Sequence, residues 1–146
     1  MRIFAVWFLV LASSLTAFGA QEDSAAQLAA RAESAPPDQQ IELYLKAAHQ
    51  QLKDADSLYQ QGKTEEASND VRQIIEYADK ATDTAVRTGK KLKNAEIELR
   101  KIATRLNDIR HSLSFDDQAP VKTAAEHLEE LRTKLLARMF SKDKKK

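Results

Sequence analysis

The chain has 146 residues and a nearly balanced charge, with 23 lysines and arginines against 22 aspartates and glutamates. Because nucleic-acid-binding domains usually carry a basic excess, this balance disfavours a nucleic-acid partner. Cysteine is absent, which excludes disulfide bonds, thiol catalysis and thiolate metal sites. Only three glycines and three prolines occur, and strong helix formers dominate, so we expect an all-α protein stabilised by packed apolar surface.

The first nineteen residues have the three-part pattern of a cleavable signal peptide. An arginine supplies the positive start, residues 3–12 are an unbroken apolar run, and a polar stretch then leads to small residues. Cleavage after Gly19 would place the small residues Ala17 and Gly19 third and first before the cleaved bond, where signal peptides carry small side chains. Cleavage after Ala20 would instead place the bulky Phe18 third before the cleaved bond. The alternative is a retained membrane anchor, but the apolar run is shorter than the roughly 20 residues that a spanning helix needs. The sequence therefore predicts a periplasmic or secreted protein.

Residues 20–36 are small and polar, and Leu28 is their one bulky apolar side chain. They can form a transient helical turn over residues 25–32, but they have little surface to bury. We therefore predict a flexible tether. The proline pair at 36–37 ends it, and proline suits the first turn of a helix.

From residue 37 to residue 140, apolar residues recur at alternating steps of four and three, the heptad spacing of a coiled coil. We predict one helical domain over this range. Its first helix covers 37–61, and its seam residues are Ile41, Leu45, Ala48, Leu52, Ala55 and Tyr59. Gly62 interrupts the pattern, and Thr64 is a suitable N-cap for the next helix.

The second periodic segment keeps one seven-residue phase from Ala67 to Leu113. Its seam positions are apolar except Thr88, which lies beside Gly89. A loop would have no reason to preserve this phase, and one glycine costs a helix only about 1 kcal/mol. We therefore predict a continuous central helix over 65–113. At about 1.5 Å per residue it would span on the order of 70 Å, with the first and third helices folded back on it as an elongated antiparallel coiled coil.

The alternative is a turn at Gly89, with Asn94 capping a new helix and four helices forming an up-down-up-down bundle. In either case a break at 114–117 precedes the last helix, whose seam covers 121–135. A basic tail at 141–146 closes the chain.

Residues 55–67 resemble the centre of a tetratricopeptide hairpin, in which a small residue, a tyrosine, a glycine and a Glu-Ala pair recur at this spacing. The likeness is carried by Ala55 and the run Tyr59-Gln60-Gln61-Gly62-Lys63-Thr64-Glu65-Glu66-Ala67. It ends in the second helix, where Ile74 stands in place of alanine and Asp79 in place of proline, and no second copy follows. The resemblance implies a helical hairpin and a leaning toward protein binding. The whole chain otherwise resembles uncharacterised secreted α-helical proteins of Gram-negative bacteria, a likeness that transfers no residue roles.

The sequence contains no recognisable catalytic, metal or cofactor motif. The three histidines, His49, His111 and His127, lie off the inward seam, and none belongs to the inward Glu-x-x-His pair of a di-metal bundle. Met139 has no inward histidine with which to bind haem. No glycine-rich phosphate loop and no nucleophile on a strained turn are present. We therefore expect no enzymatic activity, cofactor, metal or small-molecule substrate, and we keep a non-covalent cofactor- or metal-binding four-helix bundle as an alternative function.

Two apolar shoulders flank the seam and are the candidate protein-binding surfaces. The first comprises Tyr44, Leu58, Ile75 and Tyr77, and the second comprises Leu136, Met139 and Phe140. Because a two-helix cross-section buries little area per residue, we predict a protein partner or a homodimer. The protein would then act in the cell envelope as an adaptor, scaffold or chaperone-like factor. The other interpretation is that the shoulders thicken the core of a monomer.

Two basic clusters support a further alternative, a protein that binds the envelope surface. They are Lys90, Lys91 and Lys93 in mid-chain and Lys142, Lys144, Lys145 and Lys146 at the end. Either cluster can make a weak contact with an anionic lipid or polymer of the envelope through screened electrostatics. Solubility is the other explanation for both.

Overall fold

The computed structural model describes residues 22–141, which contain five α-helices, one short 3-10 helix and no strand. The predicted all-α class is therefore confirmed. The helices are α1 (Ala25–Glu33), α2 (Pro37–Gln60), α3 (Thr64–Thr88), α4 (Leu92–Ser112) and α5 (Gln118–Ser141), and the 3-10 turn Phe115–Asp117 joins α4 to α5. The predicted signal peptide at 1–19 and the four lysines of the tail lie outside the described residues.

The central helix predicted over 65–113 is not continuous, because the chain turns at Gly89. α3 ends at Thr88, and Gly89 adopts φ 71° and ψ 13°, the left-handed conformation that closes a helix C-terminus. The Gly89 N–H donates to the carbonyl oxygen of Ala85, 2.8 Å away. Lys91 is also left-handed, with φ 54°, and α4 begins at the next residue. Periodicity could not predict this break, since a three-residue turn between helices that share one core leaves the heptad phase unchanged.

We expect the Gly89→Ala replacement to lower the free energy of unfolding by about 1 kcal/mol, because an alanine side chain disfavours the left-handed backbone. In a continuous helix the same replacement would raise that free energy by about 1 kcal/mol, so the sign tests the turn. Urea denaturation measures it. The matched control is Gly62→Ala, where φ is 74° and the added Cβ would meet nothing within 4 Å. A stabilised Gly89→Ala variant would contradict the turn.

Residues 25–33 form α1, although the sequence predicts a flexible tether over 20–36. A capping box starts this helix: the Ser24 side chain accepts from the Gln27 N–H, and the Gln27 side chain accepts from the Ser24 N–H. The buried side chains of α1 are Ala25, Leu28 and Ala32. Because these side chains are mostly small, α1 can lie close against α2, and a pattern that counts only bulky residues misses it.

The four long helices form two hairpins. In the first hairpin the turn at Gly62 joins α2 to α3, and the two helices pack against each other. In the second the 3-10 turn joins α4 to α5, which also pack against each other. The largest fully buried apolar side chains are Ile41, Val71, Ile74, Leu99, Ile102, Leu106, Val121, Leu128, Leu131 and Leu135. No helix within residues 22–141 has both the length and the apolar character needed to cross a membrane.

The two hairpins lie side by side. Three polar contacts join α2 to α4, and both partners advance by seven residues from one contact to the next: Glu42–Lys91, His49–Glu98 and Asp56–Arg105. Between α3 and α5, Asp79 pairs with His127. Further along the same two helices, the carbonyl oxygen of Val86 accepts a hydrogen bond from Arg138. Residue numbers rise together on both helices of each pair, so α2 runs parallel to α4 and α3 runs parallel to α5.

Candidate functional site

The four residues of the first predicted shoulder occupy different environments. Tyr44 and Tyr77 are 5 % and 7 % exposed, and their rings stack with the centroids 6.5 Å apart. The ammonium group of Lys80 lies 5.5 Å from the centre of the Tyr44 ring. Leu58 and Ile75 are half-buried and pack against the core. The two tyrosines therefore join α2 to α3 and leave little surface free for a partner.

Ile75 lines a shallow groove between α3 and α5, with a volume of about 330 Å³. Its other lining residues are Ser68, Val71, Arg72, Ala119, Pro120 and Thr123. In the second predicted shoulder, Leu136 and Met139 are half-buried, whereas Phe140 is 65 % exposed. The structure thus leaves one residue of the second shoulder largely open to solvent.

A longer concave surface, which we call the α2 groove, follows α2 between α1 and α4. It consists of two adjoining cavities of about 380 Å³ and 170 Å³, and Lys46 and His49 line both. The first cavity is also lined by Glu22, Asp23, Leu28, Arg31, Leu43, Gln50 and Lys53. The second is also lined by Glu42, Leu45, Asn94 and Glu98.

Helix geometry explains where this groove lies. The heptad seam of α2 faces α3, so a different stripe of α2 is left to form the floor. Leu43, Lys46, Gln50 and Lys53 follow one another at steps of three and four residues, which places them on that stripe. Helix α1 forms one wall, with Leu28 and Arg31, and helix α4 forms the other, with Asn94 and Glu98.

A hydrogen bond joins the floor of the groove to the α4 wall. The Nε2 atom of His49 lies 2.7 Å from a carboxylate oxygen of Glu98, and the Lys101 ammonium group donates to the other oxygen at 2.9 Å. Burial alone would raise the pKa of Glu98, but the hydrogen bonds from Lys101 and His49 outweigh burial and hold that pKa below its usual value. Glu98 therefore stays ionised and holds the His49 ring against α4.

The remaining rim of the groove carries charges of both signs. Arg31 pairs with Asp23 at 2.5 Å, and Lys53 lies 3.9 Å from Glu22. Lys46 is exposed, and within residues 22–141 no ion pair of 4 Å or less involves it. The groove therefore offers apolar side chains at its base and an available cation at its centre.

The other two histidines and the most buried ion pair lie outside the α2 groove. The Nε2 atom of His127 lies 2.7 Å from a carboxylate oxygen of Asp79, and His111 is exposed. Glu96, with 8 % of the residue exposed, is bound by Arg132 of α5. In the part of the chain that the structure describes, no three His, Asp or Glu side chains gather as a metal-binding group would require.

The sequence does not predict the α2 groove, because one of its walls is α1 and the other is α4. Residues 25–33 are not expected from the sequence to form a helix, and α4 lies beside α2 only because the chain turns at Gly89. The one available signal was the capping pair of Ser24 and Gln27, which marks the start of a helix. Comparison with family models, with curated proteins and with solved structures gave no match to this chain.

Proposed function

We propose that this chain is a non-enzymatic, exported helical protein that acts through protein–protein contacts in the cell envelope, as an adaptor, scaffold or chaperone-like factor. The observation that carries the proposal is the α2 groove, which is open, elongated and apolar at its base with charges on its rim. Protein interfaces commonly combine an apolar centre with a polar rim in this way. We propose further that α2 to α5 form a four-helix arrangement of two stacked hairpins, to which α1 adds the outer wall of the groove.

The dimensions of the groove favour a segment of a partner protein as the occupant. Its lining residues on α2 run from Glu42 to Lys53, which at about 1.5 Å per residue is roughly 17 Å. An extended chain of about five residues, or three helical turns, would fill that length. Small-molecule pockets enclose most of their ligand, whereas this groove lies open between two helix walls.

The chemistry of the groove suggests what the partner segment presents. Leu28 and Leu43 form an apolar base that would take an aliphatic or aromatic side chain. Lys46, which makes no ion pair within residues 22–141, would pair with a carboxylate of the partner, whereas Arg31 and Lys53 are already paired with Asp23 and Glu22. We therefore propose a partner segment that combines an apolar anchor with an acidic residue.

We expect the Leu43→Gln and Lys46→Glu double variant to bind its partner at least tenfold more weakly, a change of about 1.4 kcal/mol. Both positions lie outside the fully buried core, so the thermal midpoint should move by no more than a few degrees. The measurement is site-specific photo-crosslinking in expressing cells from a probe at position 50, which also lines the groove, followed by mass spectrometry.

The matched control places the same probe at Glu126, which is exposed on α5, and makes the charge change Lys122→Glu on the same helix. A partner that crosslinks from position 50, is lost in the double variant and is unaffected by Lys122→Glu would support the groove. Equal crosslinking from positions 50 and 126 would remove the groove from consideration.

A further inference from the structure

Basic residues that are far apart in the sequence meet at one end of the helix stack. Arg138, near the end of α5, donates from Nε to the carbonyl oxygen of Val86, near the end of α3, at 3.0 Å. Val86 lies three residues before Gly89, so the C-terminus of α5 is beside the turn that joins α3 to α4. We call this region the basic end, and its exposed or half-exposed cations are Arg87, Lys90, Lys91, Lys93 and Arg138.

Two of these lysines make only exposed ion pairs. Lys90 lies 3.3 Å from Asp38 and Lys91 lies 2.8 Å from Glu42, and all four side chains are 39–53 % exposed. Exposed pairs contribute little, so they can exchange for other anions. The chain continues directly from the basic end into residues 142–146, which carry four lysines and one aspartate.

An exposed aromatic ring accompanies the cations. Phe140 is in the last turn of α5 and is 65 % exposed, while its neighbour Met139 packs partly against the core. Apolar rings beside cationic side chains are a combination suited to the boundary between lipid headgroups and acyl chains. A purely ionic partner, such as a soluble polyanion, would leave this ring without a role.

The opposite end of the stack, which contains the α2–α3 and α4–α5 turns, carries charges of both signs. Burial raises the pKa of Tyr59, and the nearby Asp117 carboxylate raises it further. Tyr59 lies at the end of α2 and Asp117 lies just before α5, so the α2–α3 turn and the α4–α5 turn are neighbours. Burial likewise raises the pKa of Asp70, and Asp54 and Glu66 add to that rise. The acidic side chains of this end are accompanied by the exposed lysines Lys63 and Lys122, so this end serves as the comparison for the basic end.

We propose that the basic end docks on an anionic phospholipid surface, with the lysines of the α3–α4 turn against the headgroups and Phe140 inserted at the interface. This contact adjoins one end of the α2 groove, because Lys91 pairs with Glu42 of the groove lining, and the rest of the groove lies along the side of α2. The contact would hold the protein at a membrane while the rest of the groove remains accessible.

The test uses the protein as recovered from expressing cells, with its N-terminus determined by mass spectrometry. Co-sedimentation is measured with vesicles of phosphatidylcholine alone and with vesicles containing 30 mol % phosphatidylglycerol. We expect binding to the anionic vesicles above the level seen with neutral ones, and at least tenfold weaker binding in 300 mM than in 50 mM salt. The neutral vesicles account for any contribution of the apolar run at 3–12.

Variants locate the contact. Lys90→Gln with Lys93→Gln should weaken anionic-vesicle binding about tenfold, and Phe140→Ser should weaken it several-fold without altering its salt dependence. The matched control is Lys63→Gln with Lys122→Gln, two exposed lysines at the opposite end, which should leave binding unchanged. Equal losses in both lysine pairs, or equal binding to neutral vesicles, would overturn the proposal. Binding to dextran sulfate as tight as to vesicles, with no effect of Phe140→Ser, would also overturn it by assigning the basic end to soluble polyanions.

Discussion

Replacing Tyr77 with alanine is expected to lower the free energy of unfolding by about 3 kcal/mol, as for other large buried side chains cut back to alanine. The Tyr77 residue is only 7 % exposed, and its ring stacks on Tyr44 with a 20° angle between the ring planes. Alanine would remove that stack and leave a cavity between α2 and α3. Urea denaturation followed by circular dichroism measures the loss.

Two companion variants separate packing from surface chemistry. Tyr77→Phe keeps the ring and should cost less than about 1 kcal/mol, whereas Ile75→Gln changes a half-buried side chain and should cost an intermediate amount. If Tyr77→Ala instead left the unfolding midpoint unchanged and abolished partner binding, Tyr77 would belong to an exposed binding surface. That result would favour the shoulder predicted from the sequence over the packing seen in the structure.

The heptad pattern predicts which residues of α2 are buried, but not how many faces of the helix are covered. All six seam residues that the pattern selects, from Ile41 to Tyr59, are buried. Tyr44 and Ala47 lie off the seam and are equally buried. A two-helix cross-section would expose them, whereas α2 contacts α1, α3 and α4, which widens its buried surface. Local periodicity carries no information about such additional neighbours.

The contacts that stack the hairpins are invisible in the sequence for a similar reason. The partners His49 and Glu98 are 49 residues apart, and His127 and Asp79 are 48 apart, so neither pair forms a local motif. Sequence reasoning places both histidines off the inward seam, and both are half-buried. Their position is therefore predictable from the pattern, whereas their partners depend on the turn at Gly89.

Removing Arg132 is expected to destabilise the protein by about 3 kcal/mol, because it would leave the buried Glu96 carboxylate without a counter-charge. The Nε and Nη2 atoms of Arg132 lie 3.0 Å and 2.6 Å from one oxygen of Glu96, and the two side chains are 19 % and 10 % exposed. Arg132 also binds Glu129 on its own helix. An ordinary surface ion pair would contribute no more than about 1 kcal/mol to stability. The size of the measured loss therefore decides whether the Arg132–Glu96 pair holds α4 against α5.

The experiment compares Arg132→Ala with the double variant Glu96→Leu and Arg132→Leu by urea denaturation. The double variant should be close to the wild type in stability, since apolar side chains replace both buried charges. A loss below about 0.5 kcal/mol in Arg132→Ala would mean that water reaches Glu96 and that apolar packing alone joins the two helices.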